Sequence, residues 1–258
     1  MTTSPTGTAG AQPASTGFVI SERSALLRAE TALFMRDHVL SLVSHDLRGP
    51  LNAIHSWAYV LERKVDTADA TAQRALGGIR SGVEQQVKLL ESIVDTTRAE
   101  TKSLALVRAP FALQPMIEAT AGEVRGALAG ARAVTIAVAS PLADETLNGD
   151  KERLEQALWL MLTYAVESSA REATVTLACT ADASTWHASV SFTSTADALG
   201  DPAFAHLLEA FARRQALEPR EAGRIAWVLA LCKRIAEAHG GQFEQKEDTL
   251  TLRVPRVS

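Results

Sequence analysis

Ser41-Leu42-Val43-Ser44-His45-Asp46-Leu47-Arg48-Gly49-Pro50-Leu51-Asn52 places a titratable nucleophile directly before a carboxylate, inside a segment whose apolar residues recur at helical spacing. Reading outward, Leu33, Leu40, Val43, Leu47, Ile54, Trp57 and Leu61 alternate steps of three and four between about Ser21 and Lys64, with breaks at Arg36 and Pro50. That pattern predicts a long helix carrying a heptad seam. With Leu40 and Leu47 at a positions, His45 is at f, pointing away from the seam and into solvent. Pro50 has no N–H to offer the carbonyl of Asp46, so the helix is predicted to kink or loosen just beyond His45. A lone histidine on a helix surface is ordinarily a solvated side chain, so any claim to chemistry rests on its neighbours.

A second helix is predicted from about Ala70 to Glu100, where Ala72, Leu76, Ile79, Val83, Gln86, Leu90, Ile93 and Thr97 keep the same spacing. Between the helices, Val65-Asp66-Thr67-Ala68-Asp69 reads as a polar turn with an Asp cap. An antiparallel hairpin with one seam on each helix buries only half of what it offers, so a homodimeric four-helix bundle is expected.

The whole chain of 258 residues, 47% hydrophobic and 22% charged with a net charge of -4, has a globular profile without the basic excess that favours nucleic acid. Cys179 and Cys232 stand alone in apolar surroundings and read as buried free thiols, which fits a reducing cytoplasm. Apolar runs such as Ile225 to Leu231 are far too short to span a bilayer, so no membrane anchor and a cytoplasmic location are expected. Residues 1–20, rich in Thr, Ser, Pro, Ala and Gly, read as a disordered tail.

After Ser103 the pattern becomes mixed. Leu104 to Ala109 is expected to form a linker strand, and Phe111-Ala112-Leu113 with Pro115 opens a helix to about Leu128. Val134 to Ala139 alternates as a strand, and Asp150 to Ala170 is a helix with Leu154, Ala157, Leu158, Met161 and Leu162 inward. Strands follow at Thr174 to Cys179 and Trp186 to Phe192, then helices at Phe204 to Arg214 and Arg224 to His239, and a closing hairpin through Phe243 and Thr249 to Val254. Antiparallel strands covered by helices on one face imply a two-layer α/β sandwich over residues 104–258, behind a hairpin over residues 21–103.

In this order the pieces resemble the core of a bacterial two-component sensor histidine kinase, in which a dimerisation and phosphotransfer hairpin is joined to an Hsp90-like ATPase domain. Ser44-His45-Asp46-Leu47-Arg48-Gly49-Pro50-Leu51 is similar to the family's H-box, and the resemblance makes His45 the phosphoacceptor and Asp46 the acid that polarises its ring. It also implies that the surface bearing Arg48 and Asn52, rimmed by Trp57 or Tyr59, docks response-regulator receiver domains. Gly49 stands where many relatives carry a Thr or Asn that positions water for dephosphorylating the regulator, and glycine has no group for that task. Lys233-Arg234-Ile235-Ala236-Glu237-Ala238-His239-Gly240-Gly241 and Phe211-Ala212-Arg213 keep the family's scaffold signatures.

The nucleotide motifs depart from that pattern. Where relatives present two asparagines and a lysine to magnesium and phosphate, this chain has Leu160, Tyr164 and Glu167. Leucine cannot ligate a hard cation, and Glu167 is expected to bring negative charge to the phosphate position. The Asp-x-Gly-x-Gly loop is replaced by Phe192, Ser194 and Ala196, and the later glycine-rich turn by Ala226 and Val228, with Gly223 nearby. Trp227 is expected to fill the emptied pocket. Losing several bonds to charged groups, each contributing about 1.5–3 kcal/mol, is expected to leave Mg-ATP binding absent or very weak. No cofactor is expected in this chain, magnesium being supplied by the partner receiver.

Three functions stay open on these grounds. The first is a histidine phosphotransfer protein whose His45 exchanges phosphoryl groups with receiver aspartates. The second is an ATP-dependent kinase that autophosphorylates His45. The third is a pseudokinase that acts by binding a sensor or hybrid histidine kinase or a regulator. His55 and His239 read as packing residues rather than ligands, and Trp159 and Trp227 as core.

Overall fold

The computed structural model describes residues 20–66, 69–101, 104–218 and 224–256. The tail, Thr67, Ala68 and Gly223 lie outside them, as do the side chains of Ile93, Thr97 and Ala196.

Two helices form the hairpin, α1 over Glu22–Glu62 and α2 over Ala70–Thr101. Ser21 caps α1 by accepting from the Ser24 N–H, and Asp69 accepts from the N–H groups of Thr71 and Ala72, which is the cap expected in the turn. Helix α1 runs on through Pro50. Against α2 it turns Ser44 and Ala58, both buried, with Glu62 bonded to Arg80 at 2.8 Å and His55 lying 3.6 Å from Glu84. Leu76 and Val83 are buried on α2.

Packing within the hairpin does not use the heptad seam of α1. Leu26, Leu33, Leu40, Leu47, Ile54 and Leu61 recur every seven residues along one line of the helix, and each is between 41% and 62% exposed. Val43 and Trp57 beside that line are exposed as well.

Beyond the hairpin, β1 (Ala109–Ala112) leads into α3 (Leu113–Val124), which continues through a π-helical turn at Arg125–Ala129 into the short α4 (Gly130–Arg132). Next come β2 (Thr135–Ala139), β3 (Thr146–Gly149), α5 (Lys151–Ser168), β4 (Thr174–Ala181), β5 (Thr185–Ser191), α6 (Ala196–Gly200) and α7 (Ala210–Leu217). A 3₁₀ turn at Trp227–Leu229 precedes α8 (Ala230–Ala238), and β6 (Gln242–Lys246) and β7 (Thr249–Pro255) close the chain. The five-stranded sheet has the order β2-β4-β5-β7-β6. It is mixed, because β2 runs parallel to β4 while the other pairs are antiparallel.

Several boundaries differ from those predicted. Residues 104–108 are not a strand; β1 begins at Ala109 and pairs with β3, which the sequence reading missed. The helix expected from Phe204 begins only at Ala210, after the unforeseen α6, and the helix expected from Arg224 begins after the 3₁₀ turn.

One face of the sheet carries the core. Val175, Leu177, Cys179, Trp186, Ala188, Val190, Leu250 and Leu252 alternate inward under α3, α5 and α8. Helix α5 is buried from Leu154 to Ser168. The signature at the end of α8 is scaffold: Gly240 has φ +77°, and a Cβ on Gly241 would collide with the Arg253 carbonyl. His239 accepts from the Asp150 N–H at 3.0 Å and lies 2.8 Å from the Ile235 carbonyl, so it is a packing residue, as expected. Both cysteines are buried and free, and burial pushes the Cys179 thiol up to about 12. Among the described residues no helix is long and apolar enough to cross a membrane.

Candidate phosphoacceptor site

His45 stands on the middle of α1 with its side chain 82% exposed, next to Asp46 at 80%. Its Nδ1 lies 3.3 Å from Asp46 Oδ1. An ionised carboxylate only accepts, so the contact places the ring proton on Nδ1 and leaves Nε2 as a bare lone pair facing solvent. Among the described residues no side chain closes over His45, and the helix supplies a rigid base.

Around it, a Cβ added at Gly49 meets nothing within 4 Å, so open space rather than crowding surrounds the position one turn on. Arg48 is half-buried, with Nε shielded from solvent. Asn52 is exposed on the same line of the helix but two turns away, an axial rise of about 10.5 Å. Trp57 and Tyr59 are exposed farther along, and the Arg63 guanidinium lies 4.5 Å from the Tyr59 ring centroid.

The second set of residues lies in the α/β unit and is packed shut. Leu160, Tyr164 and Glu167 are buried on α5, and Phe192, Ala226 and Val228 are buried opposite them. Tyr164 and Phe192 meet edge to face with ring centroids 6.0 Å apart. Gln245 holds this wall: its Oε1 accepts from the Ala226 N–H at 2.8 Å and its Nε2 donates to the Tyr164 hydroxyl at 3.4 Å. Ser194 is exposed and bridges Ser169 at the edge. Trp227 is only half-buried, so the filling falls to Tyr164, Phe192 and Val228.

Glu167 is placed otherwise than expected. It does not project into a phosphate position but turns toward residues 206–208. Its Oε1 accepts from the N–H groups of Leu207 and Leu208 at 2.6 and 2.9 Å, and its Oε2 lies 2.8 Å from His206 Nδ1. The sequence reading missed Arg132, which is buried and donates to the carbonyls of Ala198, Ala205 and Glu167. Burial lowers its pKa, with Glu167 opposing and Arg213 adding to the shift. A lone arginine in an Ala-Arg-Ala stretch carries no local signal of that role. These residues do not fit Mg-ATP: apolar side chains fill the positions, and the Glu167 carboxylate is taken up by two backbone N–H groups and by His206.

Comparison with known proteins shows the family. Residues 35–102 match the His Kinase A (phospho-acceptor) domain. A solved histidine kinase from Burkholderia phymatum STM815 is 56% identical over 93% of this chain and all of that one, with a TM-score of 0.76. The chain therefore belongs to the histidine kinase family of two-component signalling. Among curated relatives, Sensor protein GacS of Pseudomonas syringae pv. syringae is 24% identical over 237 residues, and the kinase BaeS of Escherichia coli K12 is 26% identical over 211. The chain covers 25% and 43% of their lengths, respectively.

Proposed function

We propose that this chain is a phosphoryl relay: His45 takes a phosphoryl group from the aspartyl phosphate of one receiver domain and gives it to the aspartate of another. The observation that carries this reading is the contrast between an open His45–Asp46 pair and a nucleotide cavity filled by Tyr164, Phe192 and Val228. In the forward step Nε2 attacks phosphorus, the P–N bond forms, and the P–O bond to the aspartyl carboxylate breaks as that carboxylate leaves with the electron pair. The Nδ1 proton stays between His45 and Asp46, whose negative charge offsets the cationic ring of the adduct. Positioning by the helix and by the docked receiver supplies the rest. Magnesium, where the aspartyl chemistry needs it, is held by the receiver.

The exposed seam from Leu26 to Leu61 supports a second copy as partner, because burying each such side chain stabilises by about 1.5–3 kcal/mol. The experiment mixes the full chain with a phosphorylated receiver and looks for acid-labile label. Label on His45, absent in His45→Ala, is expected, while Mg-ATP alone gives none under conditions that label an ordinary kinase. Label from ATP would instead establish an autokinase. A folded chain unlabelled by either donor, with His45→Ala still active in complementation, would establish a binding role.

A further inference from the structure

The contacts that fix Glu167 also shape the surface that meets α1. Glu167 ties down the N–H groups of Leu207 and Leu208, Arg132 ties down the carbonyls of Ala198 and Ala205, and Arg213 donates to the Leu199 carbonyl at 2.8 Å. The loop held this way presents Leu207 and Leu208, with Ala212 of α7 beside them, to Thr31 and Met35 of α1, around a cavity of only about 10 Å³. Met35 is 2% exposed, although nothing within the hairpin requires a buried methionine so near the start of α1.

Polar contacts surround that plug. Arg36 bonds Glu209 at 2.9 Å, and Glu30 accepts from Arg153 at 3.3 Å and Gln156 at 3.0 Å. Arg23 pairs with the buried Glu155, and Trp159 Nε1 donates to Ser24 Oγ at 3.3 Å. The dock is therefore built from α5, the helix whose nucleotide positions are filled, from the loop that Glu167 holds, and from the 3₁₀ turn and α8, which also pack on α1.

Its location on α1 matters for the reaction. Ser24, Thr31, His38 and His45 are spaced by seven and lie on one line of the helix. The α/β unit buries the first two, half-buries His38 and leaves His45 open, one heptad or about 10.5 Å farther on. We infer that Glu167 is a positioning residue: by pinning residues 206–208 it makes the dock for the start of α1, which holds the α/β unit beside His45 and keeps it from covering that residue. This rests on the relay reading for its consequence, while the dock itself is a separate structural claim.

The test follows two readouts in the full chain, hydrogen exchange of residues 22–38 and the rate at which a phosphorylated receiver labels His45. Met35→Asp removes the plug without touching the Glu167 contacts. Glu167→Lys sets a cation against two N–H donors, and Glu167→Gln keeps an acceptor oxygen for them. Met35→Asp and Glu167→Lys are expected to speed exchange in 22–38 at least tenfold and to slow labelling at least fivefold, with Glu167→Gln within twofold of the parent in both. Should Glu167→Lys fail to fold, Glu167→Ala, which removes the acceptor without adding a charge, takes its place with the same expected outcome, and unchanged exchange in it overturns the role of Glu167.

A bismaleimide bridge between Arg36→Cys and Glu209→Cys, which the buried native thiols do not compete for, is expected to leave labelling within twofold. Unchanged exchange in the undocking variants, unchanged labelling despite undocking, or a tenfold loss on bridging would overturn the inference. A parent chain that takes no label overturns the relay reading instead. The dock is then decided by exchange alone, supported by lost protection in Met35→Asp and overturned by retained protection.

Discussion

At His45 the chemistry depends on which ring nitrogen is bare. Among the described residues the Asp46 carboxylate is the group that chooses, through its 3.3 Å contact with Nδ1. Asp46→Asn keeps the shape but loses both the charge and the exclusive acceptor, so transfer to His45 is expected to slow by about 10²-fold, the low end for a lost acid–base partner. Receiver affinity should change little, and rapid-quench labelling at saturating receiver separates the two. One turn on, Gly49 borders open space, so Gly49→Ala should raise stability by about 1 kcal/mol, read from urea unfolding, with no change in transfer. Helix spacing placed His45 on the open face of α1, whereas its role and that of Asp46 came only from the resemblance of Ser44–Leu51 to the family's H-box. Asn52 illustrates the limit of sequence proximity: near in the chain, it stands two turns from the histidine.

Elements differed in how far they could be read in advance. The two long helices of the hairpin emerged from periodicity sustained over many turns, within two residues at every end that the structure describes. The pair β1 and β3 did not, since Thr146–Gly149 alternates in burial over only four residues and one of its two buried positions is a glycine, too little apolar pattern to detect. The late start of α7 has a nonlocal cause, because Glu167 and Arg132 hold residues 198–208 from outside the segment. Glu167 itself was expected at the phosphate position, because matching a motif by sequence cannot say which way a buried carboxylate turns.

The junction of α5 and α8 yields a pH prediction. Burial lowers the pKa of His239 below its ordinary 6.5, the Ile235 carbonyl opposing the shift, Arg108 adding to it and Asp150 opposing it. The unfolded chain therefore takes up the proton first, so the stability gained from neutral His239 is complete above about pH 6.5 and is lost as pH falls below it. His38, lowered by burial and then by Arg234, adds to the same slope. His239→Gln should flatten part of the decline in unfolding free energy between pH 7 and 5, while lowering the neutral plateau by about 1–3 kcal/mol for the disturbed buried bond.

At the scale of the molecule, α1 serves two partners on different faces. One face, through Ser24, Thr31 and Met35, is taken by the chain's own α/β unit, while the line Leu26, Leu33, Leu40, Leu47, Ile54 and Leu61 is left bare along the whole helix. A seam with strict sevenfold recurrence is matched best by an identical seam in register, because a-position residues then pack layer against layer. Spacing in the sequence shows the seam from Leu33 to Leu61, but not its extension to Leu26 nor that packing within the hairpin spares it, since either seam could have faced α2. Leu40→Glu with Ile54→Glu puts four carboxylates into two central layers of the paired form, forfeiting about 1.5–3 kcal/mol per apolar side chain and adding charge repulsion. Both positions are exposed in the single chain, so its helix content and unfolding midpoint as a monomer should hold. Sedimentation velocity at micromolar concentration is expected to show a dimer for the parent and a monomer for the double variant. A parent that sediments as a monomer, or a double variant that still pairs, would place the interface elsewhere than on this seam.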